Sequence, residues 1–282
     1  MSATRSGEGR EAGKAADARD SSRDPLDFTG QVAVVTGGSR GVGRAIAEAY
    51  LRAGADVLVC GRNEPATERL PSASDRRAVF FKADVRDAEK AAAVVRNAVE
   101  RFGHLDVLVN NAGGSPSVPS AEASPRFVSS VVALNLLAPF YCAQAAYAVM
   151  QAQEAGGCVI NIASVSGLRP SPGSAAYAAA KAGLINLTRT LAVEWAPKVR
   201  VNCVVGGLLA TESADEHYGG EAGLRAVAAT VPLKRMGTPA DVAGICLFLS
   251  SPLSAYVTGA AIEAHGGGEW PAYLTALERE RK

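Results

Sequence analysis

Tyr177-Ala178-Ala179-Ala180-Lys181 places a phenol and an ammonium four residues apart. On a helix, positions i and i+4 share a face. An ammonium beside a phenol stabilises the phenolate and lowers its pKa from about 10. That pairing makes Tyr177 a candidate general acid/base. The spacing alone is met equally well by a surface pair, so its neighbours decide. Ser164 closes the apolar run 159–163, at what would be the carboxyl end of a strand. Asn135 lies in the uncharged stretch 127–153. A buried amide there needs a protein partner or a water, since leaving it unpaired costs about 1–3 kcal/mol.

A second group of residues suits a phosphate. Thr36-Gly37-Gly38-Ser39-Arg40-Gly41-Val42-Gly43 lies between an apolar run and a helical pattern. Glycines there let the backbone approach a pyrophosphate, and the following helix offers its first amides. The spacing is GxxxGxG, and the bland alternative is a tight turn that only packs the helix. After the next apolar run stands Cys60-Gly61-Arg62-Asn63, with no carboxylate before Glu64. An acidic residue at that place would bind a ribose 2′-hydroxyl and repel a 2′-phosphate. Arg62, joined by Arg40, suits a dianionic 2′-phosphate through charge-assisted bonds, unless both are solvated surface arginines. The expectation is NADP(H) in preference to NAD(H).

The elements that must hold these residues follow from periodicity. Short apolar runs at 32–35, 57–60, 79–81, 107–109, 159–162, 199–205 and 260–262 alternate with helical patterns at 42–52, 87–102, 124–153, 175–195 and 241–249. Strands apolar on both faces belong to a parallel sheet covered by helices on each side. The expected fold class is α/β, a doubly wound Rossmann-type parallel sheet of about seven strands. Residues 1–26 read as a disordered, solvated tail, with five basic and five acidic residues among the first 24. Residues 27–282 read as a single domain with a substrate lid near 207–236.

Composition narrows the function. The 29 basic and 28 acidic residues leave a formal charge of +1, which argues against a nucleic-acid binder. The acidic residues of the tail argue against a transit peptide, and its lack of an apolar core against a signal peptide. The uncharged stretch 127–153 holds Asn135, Pro139, Gln144 and Gln151, which are costly in lipid, so no membrane partner is expected. Five scattered cysteines without a CxxC pair read as buried reduced thiols suited to a cytoplasmic protein. With only three histidines, no metal site is expected.

In order along the chain, Thr36–Gly43, Asn110–Gly113, Ser164, Tyr177 and Lys181 resemble the motifs of the short-chain dehydrogenase/reductase family over residues 28–268. The resemblance implies catalytic roles for Ser164, Tyr177, Lys181 and Asn135: Tyr177 exchanging the proton, Ser164 binding the substrate oxygen, Lys181 holding the nicotinamide ribose and lowering the Tyr177 pKa, and Asn135 holding a relay water. It implies a cofactor set of Gly37, Ser39, Arg40, Gly41, Val42, Gly43, Arg62, Asp84, Val85, Asn111, Ala112, Gly113, Tyr177, Lys181, Gly207, Leu209 and Thr211. Asp84 and Val85 would meet adenine, residues 111–113 would line ribose, and Thr211 would meet the carboxamide. Two departures stand out: Gly206-Gly207 where the family usually has Pro-Gly, and His265-Gly266-Gly267 where it has Asp-Gly-Gly. The long uncharged helix and the helix at 175–195 would form the face of a homodimer or homotetramer.

His217 and Tyr218 could touch substrate from the lid, and Leu168, Arg169 and Pro170 could line the pocket, with Arg169 as a possible anion partner. Trp270 and Tyr273 could close a neighbouring subunit's pocket or simply pack. The leading reading is hydride transfer between NADP(H) and a small-molecule carbonyl or secondary alcohol. The alternatives are a 3-oxoacyl thioester reductase of lipid metabolism and a catalytically silent nucleotide-sensing protein.

Overall fold

The computed structural model describes residues 24–280 except 213 and 215–217, so most of the expected tail and His217 lie outside the described residues. The chain runs β1 (Val32–Thr36), α1 (Gly41–Arg52), β2 (Asp56–Gly61), a small hairpin of β3 (Ser72–Ala73) and β4 (Arg76–Arg77), β5 (Val79–Lys82), α2 (Ala88–Phe102) and β6 (Val107–Asn110). It continues through α3 (Pro125–Val132), α4 (Ala138–Met150), β7 (Gly157–Ser164), α5 (Ala175–Trp195), β8 (Val199–Gly206), α6 (Gly220–Thr230), α7 (Pro239–Ser250), β9 (Ala261–Ala264) and α8 (Ala272–Glu280). Seven strands form one sheet in the order β5-β2-β1-β6-β7-β8-β9, and every pairing in it is parallel. The doubly wound α/β fold expected from the sequence is the fold observed.

All five residues of β1 are buried, and alternate side chains go to opposite layers. Val32 and Val34 pack with residues of α2, α4 and α5, such as Val94, Ala143 and Leu191. Ala33 and Val35 pack with residues of α1 and α7, such as Ile46 and Val242. Successive strand residues face opposite ways, so only an unbroken apolar run satisfies helices on both sides. The Tyr50 hydroxyl ties the α1/α7 layer together, donating to the Cys246 carbonyl at 3.1 Å and meeting Ser250 Oγ at 2.8 Å. The order of strands reverses between β1 and β6, and their following loops diverge there to leave a crevice.

The helix expected over 124–153 departs from expectation. α3 and α4 are joined by a π-helical turn, Ala133–Leu137, and the helix ends at Met150. Pro139 has no N–H, so the carbonyl four residues back, that of Asn135, loses its i+4 donor. The ladder widens at that point. This helix, Pro125–Met150, is long and apolar enough to cross a membrane, but here it forms part of the layer against α2, α5 and the sheet. The β3–β4 hairpin, α6 and α8 are not apparent in the apolar periodicity.

Candidate active site

The carboxyl end of β7 and the first turns of α5 build the chemical centre. Ser164 is the last residue of β7, in register with Gly206 of β8, and its Oγ accepts from the Ser166 amide at 3.2 Å. Tyr177 is partly buried, and its hydroxyl lies near the Ser164 side chain, which favours the ionised phenol. One turn on, Lys181 is 3% exposed and donates from Nζ to the Ile162 carbonyl at 2.8 Å. Burial lowers its pKa to about 8, against a smaller opposing effect of Cys203. An ammonium loses hydration there that one carbonyl only partly replaces.

The expected lowering of the Tyr177 pKa is reversed in this geometry. Burial raises it, and the Ser164 side chain works in the opposite direction. Lys181 Nζ sits 5.6 Å from the Tyr177 ring centroid and is committed to a carbonyl. A phenol held protonated at neutral pH is suited to donating its proton.

Asn135 lies behind this centre and is fully buried. Its amide donates to the carbonyls of Gly114 at 3.0 Å and Val131 at 2.9 Å, and its Oδ1 accepts from the Gly114 amide at 2.9 Å. Its side chain therefore pins the loop after β6. A Cβ on Gly113 would lie 2.8 Å from Asn135 Oδ1 and 3.2 Å from Lys181 Nζ, so Gly113 fits between the two. With both of its N–H donors taken, the Asn135 side chain positions the loop after β6. A buried chain that sequence reading missed, Asn110 to Asn161 at 3.0 Å and Asn161 to Thr188 at 2.9 Å, braces β6, β7 and α5.

The other half of the cleft is lined by the glycine turn. Among the described α-helices, three carry side-chain caps: Asp87 on α2, Ser124 on α3 and Thr238 on α7. α1 begins at Arg40 with no side-chain cap and no acidic residue in its first turn. Its first amides are thus left for an anion. A Cβ on Gly43 would lie 2.4 Å from Asn111 Nδ2 and 2.5 Å from the Gly37 carbonyl, so only glycine lets the turn close against β6. Asn111 itself donates to the Thr36 carbonyl at 3.0 Å.

Arg40 and Arg62 are exposed at this end. Asp84 accepts from Arg86 at 2.9 Å from Nε and 2.5 Å from Nη2, and Arg86 also reaches Ser130 Oγ at 3.0 Å. The Arg86 hydrogen bonds hold Asp84 below the usual carboxylate range, with a smaller effect from Arg62. Arg86, absent from the sequence-based set, is signalled only by standing two residues after Asp84.

One cleft of about 940 Å³ brings these groups together. The whole expected cofactor set lines it, from Gly37 through Thr211, with Ser164, Tyr177 and Lys181 at the same opening. An open helix N-terminus, a turn that admits no side chain and a cluster of guanidinium groups fit a nicotinamide dinucleotide.

Of the remaining candidates, Arg169 is ion-paired with Glu269. Leu168, Trp270 and Tyr273 are exposed, at 48%, 44% and 67%. The five cysteines are free and buried. At the first departure from the family pattern, Gly207 packs against His265: a Cβ there would come within 2.6 Å of the His265 Cβ. His265 in turn pairs with Glu263 at 2.5 Å.

Comparison with known proteins bears on this arrangement. Residues 37–269 match a family model described as enoyl-(acyl carrier protein) reductase. A protein of Mycobacterium tuberculosis (strain CDC 1551 / Oshkosh) named as an uncharacterized oxidoreductase is 38% identical over 252 residues, 88% of this chain and 95% of that one. A 3-oxoacyl-[acyl-carrier-protein] reductase of Synechocystis is 37% identical over 246 residues, covering 85% and 97%. A crystal structure from Sinorhizobium meliloti 1021, described as a short-chain alcohol dehydrogenase, superposes with a TM-score of 0.80 at 39% identity, over 86% of this chain and 98% of that one.

Proposed function

Because the chain belongs to the short-chain dehydrogenase/reductase family and is an oxidoreductase, we propose that it reduces a carbonyl to a secondary alcohol, or runs the reverse, with NADP(H) preferred over NAD(H). The observation that carries this reading is that Ser164, Tyr177 and Lys181 line the same cleft as the uncapped glycine turn. The bound nicotinamide nucleotide would supply the hydride in the reductive direction. Ser164 and Tyr177 hydrogen-bond the substrate oxygen and stabilise the negative charge that grows on it. Tyr177 releases its proton to that oxygen. Lys181 sits one helical turn away with a pKa near 8, which suits it to exchange a replacement proton, and it would hold the nicotinamide ribose. The Asn135 side chain keeps Gly114 in place on the loop after β6.

Arg40, Arg62 and Arg86 set three positive charges against the single carboxylate of Asp84 at the adenine end, which favours a 2′-phosphate. The likeness to a 3-oxoacyl-[acyl-carrier-protein] reductase supports a 3-oxoacyl thioester as a second substrate class. The silent nucleotide sensor is set aside because the chain belongs to an oxidoreductase family and keeps the proton-transfer side chains in one cleft. The proposal includes a cytoplasmic homo-oligomer joined through the α3–α4 and α5 face, where Val128, Leu137 and Val193 are exposed.

The test is a paired titration of the protein with NADPH and NADH, followed by nicotinamide fluorescence. NADPH is expected to bind at least about tenfold tighter, or 1.4 kcal/mol. Equal or tighter NADH binding would remove the 2′-phosphate reading. Binding of neither would remove the nucleotide site.

A further inference from the structure

The two departures from the family pattern meet behind the loop that leaves β8. Gly206 ends β8 in register with Ala264 of β9. From there the chain enters the cleft, where Gly207, Leu209, Thr211 and Glu212 line it. Backbone bonds hold this loop on two sides. The Gly207 amide donates to the Ala264 carbonyl at 3.0 Å, the Ala210 amide to the Gly237 carbonyl at 2.8 Å, and the Gly237 amide to the Leu208 carbonyl at 2.9 Å. With no proline at 206, no ring fixes the backbone at the entry. The wall behind it is His265: a Cβ on Gly207 would lie 2.7 Å from the His265 Cα.

The imidazole of His265 holds the turn that follows β9. The Gly267 amide can only donate, so their 3.3 Å contact makes Nδ1 the acceptor. The ring proton is then on Nε2, which donates to the Glu263 carboxylate at 2.5 Å. Gly266 and Gly267 follow with φ of +64° and +96°, a path that L side chains rarely take. A Cβ on Gly267 would lie 3.0 Å from Pro232. The turn leads on to Glu269, the partner of Arg169. A bond from a side chain to the amide two residues on is the one an aspartate makes in a turn. A carboxylate keeps that acceptor well below neutral pH. An imidazole loses it once Nδ1 takes a proton, and two N–H groups then face each other. Glu263 can keep its bond to Nε2 in either state. Of the elements packed against this turn, the loop after β8 presents Gly207 and the segment after α6 presents Val231, Pro232 and Leu233, which do not titrate. The charged residues next along, Lys234 and Arg235, are turned to the Ala229 carbonyl and to Asp241.

Resting on the proposed nicotinamide site, we infer that His265 is a positioning residue for the loop 207–212, and that its Nδ1 acceptor makes nucleotide binding sensitive to mild acid. With the ring neutral, the turn after β9 stays closed and Gly207 rests on a fixed wall. With the ring protonated, the Gly267 amide loses its acceptor and the turn opens away from the ring. The loop that would meet the nicotinamide carboxamide through Thr211 then loses its backing. Proton binding and nucleotide binding oppose each other, so affinity is kept at alkaline pH and falls through the range where histidine takes a proton. Ser164 on β7, with Tyr177 and Lys181 on α5, stands outside this support.

The test is NADPH affinity by nicotinamide fluorescence from about pH 8 to about pH 5.5, on wild type and His265→Asn. The amide oxygen of that variant accepts from Gly267 at every pH. Wild-type affinity is expected to fall over this range at least about fivefold more than that of His265→Asn. Protonation of the NADPH 2′-phosphate weakens binding equally in both proteins and cancels in the comparison. Glu263→Gln keeps the Nδ1 bond and removes the carboxylate facing the ring, so the fall is expected to move to lower pH. Thermal melts report that each variant is folded. An equal fall in wild type and His265→Asn overturns this inference and leaves the nicotinamide site standing. If His265→Asn does not fold, Glu263→Gln decides, and a fall that does not move overturns the inference. No NADPH binding by wild type at pH 8 overturns both the inference and the reading it rests on.

Discussion

The two ends of the cleft are built on opposite terms. At the chemical end, Lys181 is withdrawn from water and held by a backbone carbonyl, and Ser164 and Tyr177 are half-buried beside it. At the proposed nucleotide end, Arg40 and Arg62 are exposed, and the proposed anion site consists of backbone amides at an uncapped helix. Proton transfer needs groups whose acidity is set by burial, and burial must then be supported by fixed partners. Phosphate recognition needs charge and open donors, which water tolerates well. The two ends should therefore fail separately, and respond to different conditions.

The largest contrast is expected from Arg40→Ala with Arg62→Ala. Removing two guanidinium groups should weaken NADPH by about 10–100-fold, at roughly 1.4 kcal/mol for each factor of ten, while NADH changes little. In the intact protein the NADPH advantage should shrink as salt rises, because exposed charges are screened. Equal losses for both nucleotides in binding titrations would show that the arginines do not read the phosphate.

A smaller effect is expected at the chemical end, in stability. The folded pKa of Lys181, about 8, lies below its ordinary value of 10.5. Between those two pH values the unfolded chain holds a proton that the native protein does not. Stability therefore rises with pH across that window through this group, and the contribution is lost as pH falls to 8. Lys181→Met should lack the rise. The quantity to measure is the difference between the two proteins in denaturant unfolding from pH 7.5 to 10, since the buried cysteines contribute to the slope of both. Parallel curves would show that Lys181 is not buried as a strained cation.

How much of this was legible in the sequence depends on the kind of interaction. The sheet was legible because a strand covered on both faces must be apolar throughout, as β1 and β7 are. Ser164, Tyr177 and Lys181 were legible because their spacing fits one strand end and one helical turn. The turn at Asn135 was readable in principle from Asn135-Leu136-Leu137-Ala138-Pro139, since a proline removes the donor four residues on. The Tyr177 acidity was misjudged because spacing gives the distance to an ammonium but not the depth of burial. Arg86 and Glu269 were missed because each reaches its place through a loop conformation. Glu269 depends on a glycine path after β9, and Arg169, read from the sequence as an anion partner, holds a partner 100 residues away.

The central claim is that chemistry and nucleotide binding occupy separate ends of one cleft, with Tyr177 as the proton donor. The most direct measurement takes Tyr177→Phe and wild type side by side, recording NADPH affinity and single-turnover NADPH oxidation with a saturating ketone. The account predicts NADPH affinity within about threefold of wild type, well under 1.4 kcal/mol, and a turnover rate lower by about 10²–10⁴-fold, the usual worth of a positioned acid. Turnover at the wild-type rate, or a loss of turnover matched by an equal loss of NADPH affinity, would contradict it.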